Sequence, residues 1–306
     1  MFEKLISWEM DSRGGRARAY AGKLIRKLWP DFRLSGFLLR TTGSQKEVVV
    51  NGRRMFVDLW DSAVSTHLFV SKTWEPEETK LVSSLLRAGD VFVDVGANVG
   101  YFTLVASEAV GSSGKVFAFE PEPGNFSLLR KNVQVNKCAN VHCEQKAVTS
   151  ANQPVELYLS SFNYGDHRIF PSRDDQDYNR GQQRQRTQVD GVTLDSYFPA
   201  ETRVDFIKMD VQGAEYFALQ GMKRVLRDNP NLVLMIEFWP HGLREAGVEP
   251  SLLLDELDRM GLLLHRIDGG KLLPHRKDDI LPTPGDEAVN FVFSRRKLEN
   301  TDQPPS

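Results

Sequence analysis

The segment that most constrains this chain is an apolar run that ends in an acid and leads through two glycines into a second apolar run. It reads VFVDVGANVGYF, Val91 to Phe102. Gly96 lets the backbone turn without a Cβ penalty, Gly100 lets another group approach the backbone, and a following helix begins with unpaired N–H groups. This order of strand, tight turn and helix predicts a ligand site at the carboxyl end of a strand in an open α/β sheet.

Strand-like and helix-like segments alternate around this turn. Strands are predicted at 91–95, 115–120, 141–148, 155–160, 204–210, 231–238, 262–267 and 288–294. Helices are predicted at 76–86 and 251–260, and three more are predicted between them: one that begins at residue 99, one that contains residues 126 and 129, and one that ends at about residue 228. The alternation predicts an α/β fold built on a mostly parallel, doubly wound sheet with helices on both faces.

An N-terminal extension precedes this pattern. Apolar residues at three- and four-residue steps predict a basic amphipathic helix over the first thirty residues, which Pro30 ends. Glu47 to Leu59 alternates about Asn51-Gly52, a strong signal for a β-hairpin. We therefore divide the 306 residues into an extension at 1–69, the α/β domain at 70–295 and a polar tail at 296–306.

Charge and hydropathy exclude several classes of protein. The net charge of −2 gives no support to nucleic-acid binding, although Arg13 to Arg33 carries +6 against −8 elsewhere. That basic helix has two interpretations: contact with an anionic membrane surface or an acidic acceptor, or packing on the domain, which we favour because its apolar stripe is short. No apolar run approaches the ~18 residues of a membrane span, and the first residues lack the apolar core of a secretory signal, so we expect a cytoplasmic protein.

Cysteine and histidine usage argues against a metal site. Cys138 and Cys143 fit neither a disulfide framework nor the usual zinc spacings, and we expect free thiols. His241, His265 and His275 have no partners close in sequence. The sequence therefore predicts no metal.

The glycine spacing bears on the identity of the ligand. A G-x-G-x-x-G dinucleotide site needs glycine at 98, where Asn98 stands, and the alternative G-x-x-x-G-x-G needs it at 102, where Phe102 stands. Glu120 ends the next strand, where a carboxylate accepts hydrogen bonds from both ribose hydroxyls. An adenosine ligand without a pyrophosphate, such as S-adenosylmethionine, fits both observations. A nicotinamide oxidoreductase and a catalytically silent scaffold remain as alternatives.

Several blocks of the sequence carry a family resemblance. They are VDVGANVGYFT, VFAFEPEPGNF, KAV at 146–148, VDFIKMDVQGAEYFALQG at 204–221 and LVLMIEFWP at 232–240. Together they resemble the FkbM family of class I methyltransferases over about Lys46 to Ser294. The resemblance implies a Rossmann-like sheet whose last strand runs antiparallel. It also implies a methyltransferase that uses S-adenosylmethionine, with an oxygen acceptor, such as a hydroxyl on a sugar, glycan or secondary metabolite, favoured over nitrogen.

The same resemblance implies roles for individual residues. The expected cofactor-binding residues are Asp94, Gly96, Ala97, Asn98, Gly100, Tyr101, Phe102, Glu120, Pro121, Ala147 and Asp210. Among them, Glu120 would contact the ribose, Ala147 would pack on the adenine side, and Asp210 would border the methyl-transfer pocket. Gln212 stands where many members of the family have Glu, which leaves the role of that position open.

Two residues are candidates for the base that takes the acceptor proton. Asp210 ends a strand beside the cofactor turn, although Lys208 lies on the same side of that strand and could simply pair with it. His167 belongs to a cluster with Asn163 and Asp166, and imidazole titrates near neutrality, although a lone histidine is more often structural.

The segments around these candidates leave further questions open. Between Pro171 and Gln188 the only large apolar side chain is that of Tyr178, which predicts a flexible lid or an acceptor-recognition loop. Glu215 and Glu237 each have a site interpretation and a structural interpretation of equal weight.

Overall fold

The computed structural model describes residues 44–171, 184–280 and 287–298. The basic helix predicted for the first thirty residues, residues 172–183 of the polar loop and most of the tail lie outside them. Within the described ranges, no helix is long and apolar enough to cross a membrane.

An eight-stranded sheet forms the centre of the molecule. Its strands are β3 (Val91–Val95), β4 (Lys115–Phe119), β5 (Val141–Glu144), β10 (Phe206–Met209), β11 (Val233–Phe238), β12 (Leu263–Asp268), β13 (Lys271–Pro274) and β14 (Val289–Ser294), in the order β5-β4-β3-β10-β11-β14-β12-β13. The strands from β5 to β11 pair in parallel, whereas β14 is antiparallel to both β11 and β12. The doubly wound sheet and its antiparallel last strand are therefore confirmed, and a β12–β13 hairpin extends the edge.

Helices cover both faces of this sheet. They are α1 (Val64–Ser71), α2 (Pro76–Leu85), α3 (Tyr101–Val110), α4 (Pro123–Val135), α5 (Leu194–Tyr197), α6 (Glu215–Gln220), α7 (Lys223–Asp228), α8 (Pro240–Glu245) and α9 (Pro250–Arg259). Side chains alternate along each strand, so Val93 and Val95 of β3 join one apolar core while Phe92 joins the other. Phe92 stacks on Phe206 of β10 with ring centroids 5.4 Å apart. Asp94 shares this second face, which α2 and α3 cover.

The predicted hairpin is present as β1 (Gln45–Val50) and β2 (Arg53–Asp58), with Asn51 and Gly52 at φ +47° and +78°. Buried Asn132 of α4 joins it to the rest of the fold. The Asn132 side chain donates to the oxygens of Phe56, at 3.0 Å, and Val99, at 2.8 Å. The hairpin is thus tied to the same helix and turn as the α/β domain, while the proposed domain division at residue 70, which falls inside α1, stays a prediction.

Two of the predicted segments are each divided in two. The strand expected at 141–148 is β5 followed by β6 (Ala147–Val148), which leaves the main sheet to pair with β9 (Gly191–Val192). The helix expected up to Asp228 is α6 followed by α7, and Gly221 lies between them. A Cβ at Gly221 would stand 2.1 Å from the backbone oxygen of Thr149, so the chain passes too close to β6 for a side chain there.

The prediction of an irregular loop up to Gln188 is wrong at its C-terminal end. Gln185–Val189 is strand β8, which pairs antiparallel with β7 (Val155–Leu159). Backbone hydrogen bonds to β7 hold β8, and most of its polar side chains face solvent, so the absence of apolar residues did not prevent a strand.

Candidate functional site

The turn between β3 and α3 is held in an unusual backbone conformation. Gly96, Asn98 and Gly100 have φ values of +82°, +50° and +89°, in the left-handed region that favours glycine and tolerates asparagine. The N–H groups of Gly96 and Ala97 both donate to the Phe119 oxygen at 3.0 Å. The turn therefore wraps around the carboxyl end of β4.

Both glycines are required by what lies against them. A Cβ on Gly96 would stand 1.9 Å from the backbone oxygen of Asp210, and a Cβ on Gly100 would stand 2.6 Å from Cδ1 of Leu129. Asn98, the departure from dinucleotide spacing, uses its side chain: Nδ2 donates to the Tyr164 oxygen at 3.1 Å. The end of β10 and the loop that carries Tyr164 thus both meet this turn.

Glu120 lies at the end of β4, where the sequence placed it. Its Oε2 accepts the N–H of Asn98 and its Oε1 accepts the N–H of Glu122, each at 2.8 Å. Burial raises the pKa of Glu120 to about 8, although these two hydrogen bonds act in the opposite direction. A carboxylate has roughly four acceptor positions, so about two remain for the hydroxyls of a ligand.

Asp94 contributes an unsatisfied acceptor on the other side of the turn. Its side chain is buried, Thr103 Oγ1 donates to its Oδ2 at 2.6 Å, and its Oδ1 has no hydrogen-bond partner within the described residues. Burial raises the pKa of Asp94, and the positive charge of Lys208 opposes that shift. A buried acceptor without a partner next to a glycine turn suits a ligand that brings a donor.

Tyr101 and Phe102 begin α3 but their side chains belong to the core. Both are buried, and the Tyr101 hydroxyl accepts a hydrogen bond from Asn51 at 2.9 Å. Lys208 Nζ lies 4.9 Å from the centre of the Phe102 ring. The cofactor contacts predicted for Tyr101 and Phe102 can therefore involve only their backbone atoms at the start of α3.

A polar cluster lies at the ends of β10 and β11. Lys208, opposite Asp94 in the strand register, places Nζ 3.4 Å from Oδ2 of Asp210. Gln212, at φ +53°, donates from Nε2 to Asp210 Oδ1 at 2.7 Å and to Glu237 Oε2 at 2.8 Å. The pair of Lys208 and Asp210 is thus real, and Asp210 also lies beside the turn.

The charges of this cluster shift its pKa values in opposite directions. Burial alone raises the pKa of Asp210, but Lys208 and the hydrogen bond from Gln212 lower it below its ordinary value. Burial, followed by the negative charge of Asp210, raises the pKa of Glu237 well above its ordinary value. The cluster therefore favours the charged form of Asp210 and the neutral form of Glu237.

Two acids of this region have structural features that the sequence did not reveal. Glu75, which precedes Pro76, is buried at φ +41°, and its charge acts on Lys208 and Glu237. Glu215 accepts the N–H groups of Val211 and Gly213, and burial raises its pKa to about 7. An acid directly before the proline that begins a helix was the only signal for Glu75.

The segment Ser160–Phe170 lies over the turn. The Tyr164 oxygen accepts hydrogen bonds from the side chains of Asn98, at 3.1 Å, and Asn125, at 2.9 Å, and its N–H donates to Asp61. Asn98 of the glycine turn and Asn125 of α4 therefore hold the backbone of this segment.

His167 belongs to this segment but its ring is engaged. Nδ1 accepts the N–H of Ser160 at 3.0 Å, and Nε2 is buried without a partner in the described residues. Burial lowers the pKa of His167 to about 4, so the ring is neutral at neutral pH, with its proton on Nε2. Neither nitrogen offers a lone pair to a substrate in this arrangement, which weighs against the base role predicted for it.

Asp166 connects the segment to the end of β11. It accepts hydrogen bonds from Arg168 and Arg184, both at 2.7 Å, and the Arg168 guanidinium lies 4.8 Å from the centre of the Trp239 ring. Trp239 directly follows the strand that carries Glu237. Ser160–Phe170 thus borders both the turn and the polar cluster.

Ala147 lies on the β5 side of Glu120, and the cofactor role predicted for Pro121, which follows Glu120, stays a prediction. The Glu120 N–H donates to the Glu144 oxygen at 3.0 Å, and buried Ala147 follows three positions later in β6. A cavity of about 530 Å³ next to β6 is lined by Lys146 and Tyr197, among others, and by none of the cofactor residues predicted above. The adenine-side role of Ala147 stays a prediction.

A protein-family model matches this chain. The model described as the methyltransferase FkbM domain matches residues 94–261, more than half of the chain. The match begins at Asp94 and includes Glu120, Asp210 and Glu237.

Two individual proteins similar to this chain are identical to it at less than a third of the aligned residues, and the chain spans 57% of the length of the first of them. Methyltransferase 1 of Beauveria bassiana is 29% identical over 143 residues, which are 42% of this chain and 57% of that protein. Methyltransferase sdnD of Sordaria araneosa is 26% identical over 186 residues, 52% of this chain and 70% of that protein. Among solved structures, a methyltransferase FkbM from Methylobacillus flagellatus aligns with a TM-score of 0.42 at 18% identity, covering 74% of this chain and 52% of the other.

Proposed function

The chain belongs to the methyltransferase FkbM family, whose methyl donor is S-adenosylmethionine, and from this premise we propose that it methylates a hydroxyl group on a sugar, glycan or secondary metabolite. The observation that carries the cofactor part of the proposal is the geometry of Glu120. This buried acid closes the glycine turn through the Asn98 N–H and keeps acceptor positions for the two hydroxyls of a ribose.

The other residues of the turn fit the rest of the cofactor. The unsatisfied Oδ1 of Asp94 suits the ammonium group of the methionine part, because a buried acceptor gains most from a charged donor. The positive φ values of Gly96 and Gly100 keep the backbone bare of side chains, so a ligand can approach it closely. We assign cofactor binding to these residues together with Glu120.

Bound S-adenosylmethionine supplies a methyl group on a positively charged sulfur. The work of the protein is to align the acceptor oxygen with that methyl group and to receive the acceptor proton. Asp210 is placed for the proton, because it is ionised, lies against Gly96 and keeps 22% of its side chain exposed, whereas Lys208 beside it keeps 6%. We therefore assign the role of base to Asp210 rather than to His167.

The choice of a hydroxyl acceptor is supported by the side chains around Asp210. The Asp210 carboxyl, which the Gln212 amide holds at the end of β10, can accept a hydrogen bond from the O–H group of an acceptor. The resemblance to the family also favours oxygen over nitrogen.

Mass spectrometry with methyl-deuterated S-adenosylmethionine tests this proposal. The full chain is incubated with the labelled donor and a metabolite extract, and labelled products are isolated. We expect a deuterated methyl group on oxygen, and we expect it to disappear with Asp210→Asn. Label on nitrogen or carbon would reject the hydroxyl acceptor, and label transfer at the wild-type rate by Asp210→Asn would reject the assigned base.

A further inference from the structure

The geometry at the ends of β10 and β11 joins two carboxyl groups through one amide. Both hydrogens of the Gln212 Nε2 group are used, one on Asp210 Oδ1 at 2.7 Å and one on Glu237 Oε2 at 2.8 Å. Because one nitrogen reaches both groups, these two carboxyl oxygens lie no more than about 5.5 Å apart, the sum of the 2.7 Å and 2.8 Å distances. Two carboxylates this close cannot both be charged without strong repulsion, so one of them keeps a proton.

The surroundings of the pair decide which carboxyl keeps it. Lys208 Nζ lies 3.4 Å from Asp210 Oδ2, and Lys208 itself is buried. Although burial lowers the pKa of Lys208, the carboxylates of Asp210 and Asp94 raise it above its ordinary value, so it stays charged. A buried cation on the Asp210 side keeps the negative charge there and the proton on Glu237.

Two of the remaining groups near the pair act in the same direction. Glu75 precedes α2 and Glu215 begins α6, and both raise the pKa of Glu237 by their negative charge. Asn290 of β14 lies opposite Glu237 in the register and donates to Glu78 at 3.1 Å. Asp94, whose Oδ1 has no partner among the described residues, completes the polar row beside Lys208.

We propose that Asp210 and Glu237 act as one proton-sharing carboxyl pair, held together by the Gln212 amide, with Asp210 as the member that faces the methyl acceptor. The proposal rests on the methyl-transfer function above and adds a positioning role for Glu237 and Gln212. Neither residue needs to touch the acceptor, because each acts through the Asp210 carboxyl.

The pair gives the acceptor proton a defined path. As the acceptor oxygen forms its bond to the methyl carbon, the bond between carbon and sulfur breaks and its electrons remain on sulfur. The O–H proton passes to the ionised Asp210 carboxyl, so that both carboxyls of the pair are then neutral. Release of one proton to solvent then restores the starting state, so the step needs no oxidant, metal or further co-reactant.

Carboxyl-carbon NMR on the full chain, labelled with ¹³C at Asp and Glu carboxyls, tests the pair without an acceptor. Spectra of Asp210→Asn and Glu237→Gln identify the two signals. In the wild type we expect Asp210 to titrate below, and Glu237 above, the ordinary range of carboxyl groups. In Asp210→Asn, the pKa of Glu237 should fall by at least about one unit, because the negative charge of its partner is gone.

A control and a second variant keep the result decisive. Asp90→Asn removes another buried carboxyl, at the opposite end of β3, and should leave the titration of Glu237 unchanged. Gln212→Met removes both donated hydrogen bonds and leaves both carboxyls in place, and it should raise the pKa of Asp210. If Glu237 titrates in the ordinary range of glutamate, or does not respond to Asp210→Asn, the pair does not exist.

The outcome is separable from that of the proposed function. Binding of S-adenosylhomocysteine, measured by calorimetry on the same variants, reports on the cofactor site alone. We expect Glu237→Gln to bind it within about twofold of the wild type. A protein with a coupled carboxyl pair and no affinity for S-adenosylhomocysteine would uphold the pair and reject the methyltransferase assignment.

Discussion

The backbone oxygen of Asp210 occupies the place that a side chain at Gly96 would need, since a Cβ built there would stand 1.9 Å away. The residue that shapes the cofactor turn is thereby packed against the strand end that carries the assigned base. The turn and the polar cluster therefore meet in a close backbone contact.

Substitution of Gly96 by alanine should therefore cost more than the backbone strain alone. A left-handed φ costs a non-glycine residue about 1–3 kcal/mol, and forcing a methyl group into a packed site adds about 1–3 kcal/mol. Gly247→Ala is the matched control, because Gly247 has φ +79° and nothing within 4 Å of the position of its Cβ. Urea unfolding should show a clearly larger loss of unfolding free energy for Gly96→Ala than for Gly247→Ala. Equal losses would mean that the backbone at Asp210 moves aside without cost.

Glu120→Gln should weaken the binding of S-adenosylhomocysteine at pH 9, where the Glu120 carboxyl of the wild type is ionised. Hydrogen bonds to a charged group contribute about 1.5–3 kcal/mol, which corresponds to a loss of roughly ten- to a hundredfold in affinity. Because burial raises the pKa of Glu120 to about 8, the carboxylate that accepts the ribose hydrogen bonds becomes fully populated only as the pH rises through that value. Calorimetry of the wild type should show affinity increasing through about pH 8.

The same titration of Glu120→Gln should show little dependence on pH in that range. Glu256→Gln serves as the control, because it removes a carboxyl of α9 that pairs with Lys223 of α7. Its affinity should depend on pH as that of the wild type does. A wild-type affinity that does not change between pH 7 and 9 would contradict the ribose role of Glu120.

Asp61 holds the segment Ser160–Phe170 in place. Its buried side chain accepts the N–H groups of Ala63, Ser65 and Tyr164, so Asp61→Asn turns one acceptor into a donor that faces backbone N–H groups. The expected loss is about 1–3 kcal/mol of unfolding free energy, with faster amide exchange at Tyr164. Asp58→Asn is the control, because the Asp58 carboxyl accepts the Trp60 N–H at 3.0 Å, whereas the Tyr164 N–H donates to Asp61. Unchanged exchange at Tyr164 in Asp61→Asn would show that the segment is held by other contacts.

His167 should make the protein less stable at acid pH. Its pKa is about 4 in the folded protein, mainly because it is buried, against about 6.5 when unfolded, so protonation favours the unfolded chain. Glu122 and Asp166 oppose this shift, and Arg184 adds to it. This destabilisation is absent above about pH 6.5. It grows as the pH falls towards 4, where the unfolding free energy is lower by up to about 3 kcal/mol.

Chemical unfolding at pH 7 and pH 4.5 measures this effect. His167→Asn cannot take up the proton, so its stability should fall less between the two pH values than that of the wild type. His142→Asn removes an exposed imidazole on β5 and should behave as the wild type does. An equal fall in all three proteins would contradict a buried, neutral His167.

The places in the fold of the predicted cofactor-binding residues were predictable from the sequence because they depend on local features. The apolar run before Asp94, the glycines after it and the acid at the end of the next strand each occupy a place that the order of strands fixes. Neighbouring parallel strands bring their carboxyl ends together, so Asp94, Glu120 and Asp210 meet at one edge of the sheet.

The acceptor side depends on contacts between distant segments, and local patterns do not contain them. Gln212 was noticed only as a departure from the family, whereas its amide joins two carboxyls from different strands. His167 was predicted as a base from its ordinary pKa, but the Ser160 N–H and burial change the chemistry of its ring. Glu75 was missed because its role comes from Lys208 and Glu237, more than 130 positions away.

The most direct test of the account is calorimetric titration of the full wild-type chain with S-adenosylhomocysteine and, separately, with NADH. The glycine turn with Asn98 at its centre and Glu120 at its edge predicts stoichiometric binding of S-adenosylhomocysteine, weakened at least tenfold by Glu120→Gln, and no heat of binding with NADH. Binding of NADH in the absence of any affinity for S-adenosylhomocysteine would contradict the account.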